Sequence, residues 1–105
     1  HWASWTGQDA IIKALLEFPV EIEARDIEWG STPLLWAIDG AYHGGIRNQR
    51  NQVNCIRILL NAGADKKVVD ANGRNAMQYL QGKEDLGILD LLEPKTNKLF
   101  KFKIF

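Results

Sequence analysis

General acid–base catalysis often uses an imidazole beside a carboxylate, and one acid–histidine pair is close in sequence, Asp39 and His43, four residues apart. A nucleophilic site also needs a serine, a cysteine or a second base held beside the imidazole. None stands near this pair, and the chain has neither the cysteine–histidine spacing typical of zinc nor a glycine-rich phosphate loop. The sequence therefore predicts no catalytic residue, no metal ligands and no cofactor.

The charge balance disfavours several classes of partner. The 105 residues carry thirteen basic and thirteen acidic side chains, so no overall field attracts nucleic acid or an anionic membrane. No apolar run approaches the ~20 residues of a membrane-spanning helix. The single cysteine, Cys55, fits a reducing compartment, so we expect the protein in the cytoplasm or nucleus. Because the chain begins at His1 rather than methionine, we expect it to be a piece of a longer protein.

Two short stretches give the strongest structural signal. Residues 30–37 read Gly-Ser-Thr-Pro-Leu-Leu-Trp-Ala, and residues 59–65 read Leu-Leu-Asn-Ala-Gly-Ala-Asp. Thr32 is a favourable helix N-cap, Pro33 suits the first helical position, and Gly63 suits the left-handed conformation that ends a helix. Together the two stretches resemble the opening and the close of an ankyrin repeat. The resemblance implies an all-α solenoid of helix-turn-helix units joined by extended, hairpin-like loops.

Aligned with that pattern, the sequence divides into a repeat domain, 1–93, and a tail, 94–105. The domain consists of a partial repeat, an elongated repeat and a degenerate capping repeat, at 1–25, 26–69 and 70–93. In the partial repeat, Pro19 stands where the family has the glycine of Gly-Ala-Asp. Because proline cannot adopt a positive φ, we expect the helix before it to end in a different way.

The repeat pattern separates the four tryptophans into two groups. Trp2 and Trp36 share one repeat position with Tyr79, and we expect these rings to pack in the interior. Trp5 and Trp29 fall at variable positions that line the concave groove in proteins resembling this one, where an exposed tryptophan is a frequent interface anchor. In a second interpretation, Trp29 folds over the neighbouring turn. The resemblance implies one recognition face formed by Trp5, Trp29, Ser31, Arg74 and Lys83.

The elongated repeat contains an insertion, 39–50, in place of a very short connection. Loops of this length are often functional or disordered. Arg47 and Arg50 would share one face of a helix and could contact a carboxylate or phosphate. The alternative is a solvated elongation of two helices. In the first interpretation, the insertion adds four partner-binding residues, Tyr42, His43, Arg47 and Arg50.

The tail has the two-residue period of a β-strand, since residues 99–105 read Leu-Phe-Lys-Phe-Lys-Ile-Phe. An uncovered strand with three phenylalanines and free backbone groups needs a partner. We predict that this segment is ordered through contact with another chain or a following domain, which makes Phe100 and Phe102 partner-binding residues. Docking on the last repeat is the alternative. Four lysines without an arginine, in a protein of zero net charge, disfavour the binding of nucleic acid.

The function that the resemblance implies is protein–protein interaction. We expect a scaffold or adaptor module within a larger intracellular protein or complex, which binds another protein through the groove and the insertion. The alternative is a structural spacer of an enzyme or chromatin-associated protein that binds nothing itself. No enzymatic activity is expected of the chain.

Overall fold

The structure is a computed structural model that describes residues 1–43, 49–83 and 86–93. Over these ranges the chain is helical and has no β-strand, which confirms the expected all-α fold. The six helices there are α1 (Trp2–Trp5), α2 (Asp9–Leu15), α3 (Pro33–His43), α4 (Gln49–Asn61), α5 (Ala76–Leu80) and α6 (Ile88–Leu92). The predictions for Arg47, Phe100, Phe102 and the rest of the tail lie outside the described residues.

The helices form two layers. In one layer α1 packs against α3 and α3 against α5, and in the other α2 packs against α4 and α4 against α6. Helix α3 also packs on α4, and the core lies between these two helices. Its centre is formed by fully buried side chains at Leu35, Ala37, Ile38, Cys55 and Ile56. This is the arrangement of a stacked solenoid, in which each helix pair buries its apolar face against its neighbour.

The single cysteine, Cys55, is part of the buried core. Burial, together with the nearby negative charge of Asp9, raises the pKa of the Cys55 thiol to about 12. The thiol is therefore protonated at neutral pH and packs as a small apolar group.

The helix starts follow local capping chemistry. Pro33 begins α3, and the Thr32 hydroxyl oxygen lies 3.5 Å from the amide nitrogen of Leu35, at the long limit of an N-cap hydrogen bond. At the start of α5, the Gln78 amide donates to the Asn75 side chain over 3.0 Å. The Asn75 amide donates in return to the Gln78 side chain over 2.8 Å. This reciprocal capping box satisfies two amides that would otherwise lack partners.

Helix α4 ends through a glycine, whereas α2 ends without one. Gly63 has a φ of +99°, and beyond it the Ala64 amide donates to a carbonyl of the last helical turn over 3.0 Å. At the equivalent place after α2, where Pro19 stands, the Val20 amide donates to the Phe18 carbonyl instead, over 2.7 Å. Both predictions for these helix ends are confirmed, because the proline ring excludes the positive φ that glycine provides.

We expect Gly63→Val to lower the free energy of unfolding by about 1–2 kcal/mol, because a β-branched residue is disfavoured at positive φ. A Cβ at Gly63 would meet no atom within 4 Å, so the loss would come from the backbone alone. Urea denaturation measures it, with Ala62→Val as the control at the neighbouring exposed position. Equal unfolding midpoints for the two variants would contradict this origin.

The first part of the insertion is helix and core rather than loop. Helix α3 continues to His43, and both Gly40 and Ala41 are buried. A Cβ on Gly40 would overlap the carbonyl oxygen of Trp5 and lie 2.8 Å from its Cα, so the glycine allows the backbones of α1 and α3 to touch. The same carbonyl accepts a 2.7 Å hydrogen bond from the buried side chain of Gln52 in α4. Of the two interpretations of the insertion, residues 39–43 follow the elongation of a helix rather than the loop, although Gly40 and Ala41 are buried rather than solvated.

Candidate functional site

A cleft of about 510 Å³ opens along α1, α3 and the turns that precede α3 and α5. Most of its wall is aromatic. It is lined by Trp2, Trp5, Trp29, Ser31, Leu35, Trp36, Asp39, Arg74 and Tyr79. Four of the five residues expected on one recognition face, Trp5, Trp29, Ser31 and Arg74, thus lie around the same cleft.

The turn before α3 is held together by the carboxylate of Asp26. This carboxylate accepts hydrogen bonds from the amide nitrogens of Trp29 and Ser31, both over 2.8 Å, and from the indole nitrogen of Trp36 over 3.0 Å. Partial burial alone would raise the pKa of Asp26, but these hydrogen bonds outweigh it and hold the pKa below its ordinary value. The turn and the Trp36 ring are therefore fixed to one anionic group, while the His1 ring packs edge-on against Trp36 at 5.5 Å.

Asp70 holds the next turn in the same way. Its carboxylate accepts hydrogen bonds from the amides of Asn72 and Arg74, each over 2.9 Å, and from the Tyr79 hydroxyl over 2.7 Å. Burial again opposes the charge, but the hydrogen bonds, led by that of Tyr79, lower the pKa of Asp70. Burial and this hydrogen bond raise the pKa of Tyr79 to about 12. In both repeats, the aspartate at the start of the turn thus accepts a hydrogen bond from the aromatic ring that follows the turn, Trp36 for Asp26 and Tyr79 for Asp70.

Trp2 and Trp5 form the opposite wall of the cleft. Their rings stack with centroids 5.7 Å apart and an interplanar angle of 17°. The Trp5 indole nitrogen donates to Asp39 over 2.9 Å, and the other oxygen of Asp39 lies 3.1 Å from Nδ1 of His43. The expectation that Trp2 packs in the interior was wrong, since 68% of its surface is exposed. No element among the described residues packs over it, so its ring rests on Trp5 instead.

Trp29 projects from a turn whose backbone is fixed. Its carbonyl accepts a 3.0 Å hydrogen bond from the Ala71 amide, and Arg25 donates to the carbonyls of Gly30 and Val69. These bonds tie the turn before α3 to the turn before α5. The Trp29 side chain is nevertheless half-exposed, at 52% for the residue. A rigid turn therefore presents a partly free indole ring at the mouth of the cleft.

The remaining predicted site residues lie elsewhere. Tyr42 and Lys83 line a second cleft of about 560 Å³ between the end of α3, α5 and α6. Lys83 therefore does not lie in the first cleft, contrary to the prediction. His43 and Arg50 are exposed at the facing ends of α3 and α4. Ser31 is buried at the floor of the first cleft. Within the described ranges, no group of three metal-binding side chains converges, and no helix is long and apolar enough to cross a membrane.

The comparison with known families agrees with this architecture. A model of the ankyrin repeat family matches residues 29–71, which include the Trp29 turn, α3, α4 and the start of the Asp70 turn. The chain contains an ankyrin repeat. Ankyrin repeats are generally protein–protein interaction modules, and the family is typically non-catalytic. No curated protein matches the chain.

Several residues of the cleft were not expected there from the sequence. Trp2, Trp36 and Tyr79 were expected in the interior, whereas all three line the cleft. A signal for the last two was present, because each follows an aspartate that opens a turn, at a distance of ten residues for Trp36 and nine for Tyr79. An aromatic ring with a polar hydrogen can reach back to such a carboxylate, which draws the ring toward the turn.

Proposed function

We propose that this chain is a protein–protein interaction module, a scaffold or adaptor unit of a larger intracellular protein or complex, and that it binds an extended segment of another protein in the aromatic cleft. The observation that carries this proposal is the grouping of four tryptophans and Tyr79 around one open cleft. Trp2 and Trp29 there leave 68% and 52% of their surface exposed. Tryptophan is the residue type most enriched at energetically dominant interface positions.

The geometry of Trp29 supports a role in binding. Its amide is bonded to Asp26 and its carbonyl to Ala71, so the backbone is ordered before any partner arrives. Only the rotation of the ring has to be restricted on association, and tryptophan has few rotatable bonds to restrict. Burial of such a ring by a partner therefore releases apolar surface from water at a small entropic cost.

The polar groups of the cleft support binding without catalysis. Asp39 is bonded to Trp5 and His43, and Arg74 is bonded to Asp70. These side chains therefore hold one another in place, and none of them is paired with a nucleophile. For the remaining predicted site residues, Tyr42, His43, Lys83 and Arg50, a separate partner contact stays a prediction.

Substitution of Trp29 tests the proposal. Peptides are selected from a random library on the immobilised full chain, and their dissociation constants are measured by calorimetry. We expect Trp29→Ala to weaken the selected peptides at least about tenfold, the loss typical of an interface anchor. Phe18→Ala is the matched control, because Phe18 is also an exposed aromatic, at 66%, but lies outside the cleft. If no peptide is selected, the spacer function is favoured instead. Equal binding by the two variants would contradict the cleft as the binding site.

A further inference from the structure

The chain already holds one of its own cations against an aromatic ring. The guanidinium carbon of Arg74 lies 4.9 Å from the centroid of the Tyr79 ring, and its Nε lies 3.2 Å from Oδ2 of Asp70. The Asp70 side chain has no exposed surface, so this carboxylate is shielded from water. A ring face beside a shielded carboxylate is a favourable environment for a cation.

The preceding repeat has the same hydrogen-bonded arrangement of aspartate and aromatic ring, but no cation at the position equivalent to Arg74. Trp36 donates to Asp26 as Tyr79 donates to Asp70. Arg74 and Ser31 occupy equivalent positions in the two turns, because each directly follows a glycine of positive φ. Because Ser31 is uncharged, this position leaves the tryptophan-lined part of the cleft without the cation that the next repeat supplies for itself.

The chain segment that contains the four tryptophans is acidic in composition. Residues 1–43 carry seven acidic and two basic side chains, a net charge of −5. Asp39 lines the cleft beside Trp5, and 41% of its side chain is exposed. Arg74 also lines the cleft, but Asp70 balances its charge. Asp39 therefore gives the lining of the cleft a partly exposed carboxylate beside Trp5, which attracts a basic segment and opposes an acidic one.

We infer that the cleft receives an arginine or lysine side chain from an extended segment of the partner protein. The aliphatic stem of that side chain lies on the tryptophan rings, and its charged group lies beside Asp39. The inference rests on the proposed function, since both concern the same cleft. Its chemistry combines the attraction of a cation to an aromatic face with an ion pair that the neighbouring rings shield in part from water.

Three peptides that differ at one central residue test the inference. Acetyl-Gly-Ser-Xaa-Ser-Gly-amide is prepared with arginine, citrulline or glutamate at Xaa, and citrulline has nearly the shape of arginine without its charge. Binding to the ¹⁵N-labelled full chain is followed through the four indole N–H signals, which single Trp→Phe variants assign. We expect the arginine peptide to shift the signals of Trp5 and Trp29 and to bind about tenfold more tightly than the citrulline peptide.

Two charge variants localise the effect. Asp39→Asn keeps an oxygen that accepts the hydrogen bond of Trp5, so the wall should persist while the affinity for the arginine peptide falls about tenfold. Glu28→Gln is the matched control, because it removes an equal charge from an exposed residue that does not line the cleft. We expect it to change the affinity less than twofold in 0.15 M salt, because an exposed charge outside the lining of the cleft is largely screened by solvent and ions.

The outcomes separate this inference from the proposed function. Equal affinity of the arginine and citrulline peptides, a preference for the glutamate peptide, or the absence of indole shifts with any peptide would each overturn the cationic ligand. An equal loss in Asp39→Asn and Glu28→Gln would also overturn it, since a general field would then explain the preference. Library peptides that depend on Trp29 but contain no basic residue would refute the inference and leave the proposed function intact.

Discussion

Gly40→Ala should lower the free energy of unfolding by about 3 kcal/mol, although the same substitution in an open helix raises it by about 1 kcal/mol. The added Cβ would overlap the carbonyl oxygen of Trp5 and lie 2.8 Å from its Cα. Both are backbone atoms, so no side-chain rotation relieves the overlap. Either α1 moves away from α3, or the buried hydrogen bond from Gln52 to the Trp5 carbonyl is lost.

Chemical denaturation and the indole signals check this prediction together. A displaced α1 would shift the Trp5 indole signal, because its hydrogen bond to Asp39 lies in the same contact. A rise in stability would show that α1 and α3 are not in backbone contact and would refute the packing described above.

Asp70→Ala should destabilise the protein by about 3 kcal/mol, because one buried carboxylate accepts hydrogen bonds from two turn amides, the Tyr79 hydroxyl and the Arg74 side chain. Its loss removes the support of the turn and leaves the Arg74 guanidinium without its carboxylate. Asp90→Ala is the matched control, since Asp90 is exposed in α6 and should change stability by less than about 0.5 kcal/mol. Urea denaturation at pH 7 measures both variants, and equal midpoints would contradict the role assigned to Asp70.

The same carboxylate predicts the direction of the pH dependence. The pKa of Asp70 is lower in the folded state than its ordinary value of 3.8, so the folded state favours the ionised form. Its stabilising contribution is therefore complete well above pH 4 and is lost as the pH falls through the lowered pKa. Asp70→Asn should reduce the difference in urea midpoint between pH 7 and pH 3. An unchanged difference would show that other groups cause the acid sensitivity.

The helix boundaries that depend on local sterics could be predicted from sequence. Thr32 and Pro33 mark the start of α3, and Gly63 supplies the positive φ after α4, because capping and left-handed turns are decided by a few adjacent residues. The different ending at Pro19 follows from the same local rule. Trp5, Trp29 and Arg74 were also brought to one cleft as the repeat pattern predicts.

Features that depend on distant contacts could not be predicted. A glycine in a polar stretch suggests a loop, yet Gly40 is a buried helical residue that is small because the backbone at Trp5 passes against it. Trp2 shares its repeat position with Trp36, but burial also requires an element on the outer side of the ring. The repeat pattern indicates the positions of the rings along the chain, whereas the aspartate tethers decide which surface they line.

The position of the Trp5 carbonyl between Gly40 and Gln52 has a consequence for the kinetics of association. One wall of the cleft belongs to α1, and α1 is held by a main-chain contact and a buried amide rather than by exchangeable surface side chains. The distance between the walls is thus set before a ligand arrives, and no opening step has to precede binding. Affinity differences among ligands of this cleft should therefore arise mainly from how fast they leave, with similar arrival rates for peptides of equal charge.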